Sequence, residues 1–249
     1  MNIDDIHRIH LAQTLSTNTY ARQQPQHEGI LLVSTDYQTA GRGQRGNVWE
    51  AECGANLLFS LAIAPHGTQA SQQFILSELI SVALCEVLGS YVDDIRIKWP
   101  NDIYHRDYKL CGILIEHDIE GSTIARSIIG VGLNVNQCRF TSDTPNPISL
   151  CQILGHDIDR ERLLTEVCQA FTALYSNMLS APDTTRWCHT LHARYTTLLY
   201  RLGTPALYAD ARGPFRATLR DVAPDGRLLL EDEDAHLRSY LFKEVTYII

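Results

Sequence analysis

The sequence predicts an α+β protein, a mixed sheet packed with helices and followed by a small β-barrel module. Three observations carry this. Apolar, β-branched runs alternate with three helical periods through the first 200 residues. Beyond Gly203-Thr204-Pro205 only short strand-like segments remain, with Asp225-Gly226 as a hairpin turn. Glycines and basic residues gather at the joints between the early strands. Units are therefore expected at 1–200 and 203–249.

Residues 7–15 suit an extended start, and Ser16-Thr17-Asn18 puts three N-cap residue types ahead of a short helix. Such a helix mouth offers free N–H groups and hydroxyls to a polar ligand. Residues 29–36 form an apolar strand feeding the 35–49 stretch, where Gly41, Gly43 and Gly46 sit among Arg42 and Arg45 and Trp49 closes the segment. Glycine lets a ligand approach the backbone, and arginine presents a planar fork to carboxylate or phosphate. A mobile loop around an anionic ligand is expected. Residues 55–64 make a second strand, paired as a hairpin across that loop.

Ser71 is expected to cap a helix whose apolar positions Ile75, Leu79, Val82 and Val87 keep the helical period, and Gly89 ends it. Residues 95–99 alternate as a strand and stop at Pro100. Asn101-Asp102 then turn the chain, so Lys98 and Lys109 are expected on adjacent arms of one hairpin. Lys109 precedes an apolar strand and is expected to point inward, where it needs an anionic partner. Gly130 and Gly132 interrupt the apolar 127–136 run, a sign of close approach by a ligand or another backbone. Residues 160–179 and 184–202 are helical. In the second, His189 and His192 lack the further ligands a metal site needs.

Several function classes drop out. Gly41-x-Gly43-x-x-Gly46 matches a dinucleotide fingerprint by letter, but no helix start follows and residues 61–64 hold no acid where one is required. His105-Arg106-Asp107 imitates a kinase catalytic loop, yet Gly112 stands at the metal-binding Asn position. A net charge of -8 argues against a general nucleic-acid binder. The seven cysteines are scattered without a C-x-x-C pair, which fits a reducing cytosol and no zinc or disulfide framework. The N-terminus lacks a signal peptide, and the apolar 74–88 run is broken by Glu78 and Glu86. A cytoplasmic location without membrane contact is expected.

Six segments together resemble the biotin protein ligases. They are Ser16-Thr17-Asn18, Tyr37-Gln38, Gly41-Arg42-Gly43-x-Arg45-Gly46-Asn47-x-Trp49, Lys98-Trp99-Pro100-Asn101-Asp102, Lys109-Leu110-x-Gly112-Ile113-Leu114-x-Glu116 and Gly130-x-Gly132-Leu133-Asn134. The C-terminal module is similar, more weakly, to that family's SH3-like domain. The resemblance implies two half-reactions. Biotin carboxylate attacks the α-phosphate of ATP, with Mg2+, to give biotinyl-adenylate and pyrophosphate. A lysine of a biotin carboxyl carrier protein then attacks the mixed anhydride.

By the same resemblance, Lys109 and Arg42 are catalytic. Ser16, Thr17, Asn18, Gln38, Gly41, Arg42, Gly43, Gln44, Lys109 and Gly112 hold biotin. Arg42, Trp49, Lys98, Asn101 and Asn134 hold ATP or the adenylate, and Asp102 is the metal candidate. Gln44 stands where some relatives carry a further arginine. The 15 residues before Ser16 leave no room for the winged helix-turn-helix of bifunctional relatives, so no DNA binding is expected. Assembly as monomer or homodimer stays open. A lipoate ligase is the nearest alternative enzyme, and a non-catalytic biotin-binding module is the alternative outside catalysis.

Overall fold

The computed structural model describes residues 6–65, 67–141 and 146–249, with the Arg45 side chain excluded. The acidic first five residues and the guanidinium of Arg45, both used above, lie outside the described residues.

Two sheets organise the chain. The larger has seven strands in the order β1-β2-β3-β7-β6-β5-β4. These are β1 (Ile6–Thr14), β2 (Ile30–Gln38), β3 (Leu57–Ile63), β4 (Ile95–Lys98), β5 (Asp102–His105), β6 (Tyr108–Glu120) and β7 (Thr123–Leu133). Only β1 and β2 pair in parallel, because helix α1 (Thr17–Gln23) carries the chain back between them. The other pairs are antiparallel, including the expected β2–β3 hairpin across the glycine loop.

Alternation along β3 and β7 builds two layers. Leu57, Phe59, Leu61 and Ile63, with Ile129, Val131 and Leu133, join the main core. That core also holds residues of α2 (Phe74–Leu88), α4 (Arg160–Ser180) and α5 (Thr184–Thr197). On the other face Ala62 and Ile128 join Ala21, Leu31 and Val33 in a small cluster under α1. Farther along that face, over β6, β5 and β4, a cleft opens.

Three local expectations are corrected. Ser71 lies inside a short 3-10 turn, Ala70–Gln72, and α2 starts later at Phe74, after Gln73, without a side-chain cap. The second C-terminal helix ends at Thr197, five residues early, because the following segment pairs with β4: Ile97 N–H donates to the Leu198 carbonyl at 2.8 Å and Tyr200 N–H to Ile97 at 2.8 Å. Lys98 and Lys109 do not share one hairpin. The short strand β5 lies between them, with Lys98 opposite Asp102 and Tyr104 opposite Lys109. The stretch 70–88 is apolar and long enough to cross a membrane by composition, but 61% of it is buried in the protein, as befits a core helix.

The smaller sheet is antiparallel, ordered β11-β10-β9-β8-β12. Its strands are β8 (Pro205–Asp210), β9 (Gly213–Val222), β10 (Leu228–Asp232), β11 (Leu237–Tyr240) and β12 (Val245–Tyr247). Gly226 takes φ +87° in the β9–β10 turn, a conformation that favours glycine. The sheet does not bury a separate core. Tyr208, Leu219, Leu228, Leu230 and Val245 belong to the same cluster as α2 and the large sheet. Trp99, 3% exposed, donates its indole N–H to the Gly226 carbonyl at 2.8 Å across this junction.

Candidate active site

The cleft has a volume of about 620 Å³ and draws on five parts of the chain. The mouth of α1 gives Ser16, Thr17 and Asn18, and the glycine loop gives Gln38, Arg42, Gly43, Gln44 and Trp49. Strands β4 and β5 and their turn give Lys98, Asn101, Asp102 and Tyr104. Strands β6 and β7 give Lys109, Gly112, Gly130 and Gly132. The C-terminal sheet closes one end with Phe242 and Tyr247. Of the expected site residues, Gly41 and Asn134 stand outside this lining.

The glycines on β6 and β7 serve a side chain rather than a backbone. A Cβ on Gly132 would fall 2.3 Å from Cε2 of Trp49, and one on Gly112 would fall 2.8 Å from Cζ3 of the same ring. The Trp49 indole therefore lies flat on the two strands. Gly130 makes room for Asn18 in the same way, at 2.3 Å from its Oδ1. Gly132→Ala should push the indole off the strands and raise the acrylamide quenching of tryptophan fluorescence. Unchanged quenching in the folded variant would contradict the stacking.

Ser16 occupies the N-cap position of α1, but its hydroxyl makes no capping bond. Thr17 and Asn18 turn into a buried network. Ser60 Oγ donates to Asn18 Oδ1 at 2.6 Å and lies 2.7 Å from Thr17 Oγ1. Thr17 N–H donates to Gln38 Oε1 at 2.7 Å. Asn18 Nδ2 donates to Glu116 Oε2 at 2.8 Å, so the Asn18 amide is engaged by protein groups at both ends.

The cations have partners that the sequence pattern did not assign. Lys109 does point inward, and its Nζ lies 2.8 Å from Asp102 Oδ1, with both side chains under 20% exposed. It also stands 5.7 Å from the Trp49 ring centroid. Lys98 faces the rings of Tyr104 and Tyr247 at 4.9 and 5.2 Å. Burial lowers its pKa from the ordinary lysine value, while the Asp102 carboxylate pulls the other way. Arg42 forks onto Glu116, with contacts of 3.2 and 2.8 Å, so this loop arginine already has an anionic partner within the protein. The loop neck is closed as well, by Trp49 N–H to the Gly41 carbonyl at 3.0 Å. A Cβ on Gly41 would strike the Trp49 carbonyl at 2.3 Å, so this glycine shapes the neck and stays out of the lining.

Two more expected contacts are rearranged. Asn134 is 3% exposed, and its Nδ2 donates to the Ile148 carbonyl at 3.1 Å, which sets it behind the cleft wall. Asn101 spends its Nδ2 on the Ile113 carbonyl at 2.6 Å, fastening the β4–β5 turn to β6. Besides Asp102 Oδ1, which faces Lys109, three polar atoms of cleft-lining residues are buried with no partner among the described residues: Trp49 Nε1, Gln44 Oε1 and the Tyr247 hydroxyl. Unsatisfied buried groups are costly, so a polar ligand or water is needed at each. The cleft is thus lined with cations, floored by an indole and provided with free polar atoms, which suits an anionic ligand that also has an apolar part.

In sequence the chain is 31% identical over 217 residues to the bifunctional ligase/repressor BirA of Escherichia coli, covering 85% of this chain and 64% of that protein. It thus spans about two thirds of that relative's length. It is 29% identical over 232 residues to the biotin--[acetyl-CoA-carboxylase] ligase of Paracoccus denitrificans, covering 88% of this chain and 92% of that one. The biotin protein ligase of Aquifex aeolicus, solved in complex with biotin and ATP, superimposes with a TM-score of 0.78 at 22% identity, over 96% of this chain and 97% of the other. The model of the biotin/lipoate A/B protein ligase family matches residues 10–134, the half of the chain that supplies α1, the glycine loop and the large sheet from within β1 onward, and it is to this family that the chain belongs.

Proposed function

We propose that the chain is a biotin–protein ligase. It forms biotinyl-5'-AMP from biotin and ATP and passes the biotin to a lysine of a biotin carboxyl carrier protein. The observation that carries this reading is the meeting of Lys98, Lys109 and the Arg42 loop in one cleft. The first half-reaction brings a carboxylate against a triphosphate, so fixed positive charge must stand where negative charge accumulates. Lys109 bridges the carboxylate and the α-phosphate. Arg42 adds charge when the loop covers the adenylate. Ser16, Thr17 and Gln38 orient the ureido ring, and Gly112, Gly43 and the Trp49 face fit the apolar part. Asn18 and Gly41 support that pocket from behind, through the Ser60 network and the loop neck.

Lys98 and Asn101 belong to the phosphate side. Asn134 acts on the adenine side through the Ile148 segment that it holds. Magnesium accompanying ATP neutralises phosphate charge and is bound chiefly by the substrate, needing one or two protein carboxylates. Asp102, a carboxylate in the cleft lining, fits that need. We read residues 203–249 as an SH3-like domain beside a 1–200 ligase domain, and the whole as a cytoplasmic enzyme without DNA-binding activity. Its assembly is a monomer or a homodimer.

ATP–pyrophosphate exchange with biotin and lipoate side by side tests the reading. Exchange with biotin is expected. Exchange with lipoate alone would make the chain a lipoate ligase, and exchange with neither would leave a binding module. The biotin reading rests on the Gly-Arg-Gly loop and Lys98-Trp99-Pro100-Asn101-Asp102.

Gln44 gives a second test. Its Oε1 is buried in the cleft wall without a partner. A hydrogen bond to a charged group is worth about 1.5–3 kcal/mol against about 1 for a neutral pair. Gln44→Arg is therefore expected to slow release of pre-formed biotinyl-adenylate by roughly threefold to tenfold, since about 1.4 kcal/mol is tenfold. An unchanged or faster dissociation rate at fixed salt would remove Gln44 from the site.

A further inference from the structure

We propose that Cys138 and Cys151 form a reversible disulfide pair, a thiol-oxidation site that clasps the segment braced against Lys109. Their Sγ atoms are 3.6 Å apart. Cys138 is exposed and open to an oxidant, whereas Cys151 is buried. Three hydrogen bonds that do not involve sulfur already hold the two backbones together. Cys151 N–H donates to the Val135 carbonyl at 2.8 Å, and Leu150 N–H to the Asn134 carbonyl at 3.2 Å. Gln152 Nε2 donates to the Cys138 carbonyl at 3.0 Å. The sulfurs thus face each other in contact across backbones already tied together, and a disulfide would shorten that gap to about 2.05 Å.

The location gives the pair a consequence. Residues 146–151 run from the back of β6 into helix α3 (Leu150–Leu154). Lys109 N–H donates to the Asn146 carbonyl at 2.7 Å, and Ile148 N–H donates to the Lys109 carbonyl at 2.9 Å. Asn134 holds the same segment through Ile148. A Cys138–Cys151 bond ties the α3 end of this segment to the chain leaving β7, so its opening is restricted where it meets Lys109.

The oxidant is a low-molecular-weight disulfide, RS–SR. The Cys138 thiolate attacks one sulfur of RS–SR; that S–S bond breaks, and RS⁻ leaves with the proton Cys138 released. The Cys151 sulfur then attacks the Cys138 sulfur of the mixed disulfide and expels a second RS⁻, which takes the Cys151 proton. Two cysteine thiols are oxidised to one disulfide, and one RS–SR is reduced to two RSH. The hydrogen bond with Cys151 holds the Cys138 thiol above the usual cysteine range, so the first step accelerates as pH rises.

Incubating the full chain with oxidised glutathione, followed by intact mass and peptide mapping, reads the outcome without any assay of activity. A Cys138–Cys151 linked peptide and the loss of two hydrogens are expected, with Cys53, an exposed thiol, keeping a stable glutathione adduct. A persistent adduct on Cys138, or no reaction there once Cys53 is fully modified, would overturn the proposal. Cys138→Ser changes an exposed position and should leave Cys151 reduced; modification of Cys151 in that variant would also overturn it. In the oxidised wild-type chain the Lys109 and Ile148 amides should exchange at least severalfold more slowly, and dithiothreitol should restore the rate. Unchanged exchange would refute the clasp.

Discussion

Replacing Lys109 with alanine is expected to slow adenylate formation by about a hundredfold or more while the fold survives, as loss of one preorganised contact to developing charge does. The geometry sharpens this expectation. Lys109 is less than one fifth exposed, and its ammonium already lies 2.8 Å from Asp102. It therefore occupies a fixed position in the cleft and loses little side-chain entropy when substrate arrives. Its backbone is held on both sides by Asn146 and Ile148, so truncation beyond Cβ does not release the strand. Truncation does leave Asp102 without its cation, so some loss of thermal stability should accompany the loss of rate. Lys109→Ala with Asp102→Asn should recover part of that stability and none of the rate. Single-turnover adenylation with saturating biotin and ATP is the measurement, with circular dichroism melting alongside. Wild-type speed in a folded Lys109→Ala chain would remove Lys109 from the reaction.

Much of this arrangement is legible in the sequence where the physics is local. Helix α4 follows from the spacing of Leu163, Leu164, Val167, Phe171, Leu174 and Met178 and is capped by Asp159. The inward course of Lys109 follows from the apolar strand after it, and the demand for an anionic partner follows from its burial. What the pattern withholds is the identity of partners set by sheet order. Asp102 reaches Lys109 because β5 pairs with β6 through a register shift between Ile103 and Tyr104. Glu116 reaches Arg42 only because β6 runs under the loop, 74 residues away in sequence. Tyr247 caps the Lys98 end of the cleft because the C-terminal sheet folds back onto β4 and β5, contacts no periodicity encodes. The β7 glycines signal close approach correctly, but only the folded sheet identifies the approaching groups, the Trp49 ring at Gly132 and the Asn18 side chain at Gly130. Ser71 has the residue type of a cap, yet a 3-10 turn intervenes, since capping preference is weak against packing.

Helix α2 hides a charge that its composition alone does not explain, and its removal from the network should be felt throughout the protein. Glu78 is 3% exposed in the middle of α2 and meets His192 Nδ1 on α5 at 2.6 Å. The opposite ring nitrogen lies 3.1 Å from Asp221 Oδ1 on β9, which also accepts from Thr196 Oγ1 at 3.1 Å. A neutral imidazole has one N–H and satisfies one carboxylate; only the protonated ring donates to both. His192 is therefore the cation joining two helices to the small sheet. Its bond with Glu78 raises its pKa, against the opposing effect of burial. Burial raises Glu78, with His192 pulling it down and Asp221 adding to the rise. Tyr195, stacked on the His192 ring at 6.5 Å, and Cys188 are the other titratable groups beside this network.

Both folded-state pKa values thus lie above their unfolded ones, so these two groups bind more protons in the native chain than in the unfolded one. The contribution of His192 is complete below its ordinary value of 6.5 and is lost as pH rises through the raised folded value. Melting temperature should accordingly fall as pH is raised from 6.5. His192→Gln should flatten this slope and destabilise the chain at lower pH. Breaking a fully buried ion pair costs roughly 3–5 kcal/mol, and the one-quarter exposure of His192 brings the expectation to about 2 kcal/mol. Glu78→Gln in the same chain should recover part of the loss, because a neutral amide replaces the stranded carboxylate. Melts of the three proteins across the pH series decide the matter: a wild-type slope that persists undiminished in His192→Gln would assign the pH dependence to other groups and leave His192 a surface contact.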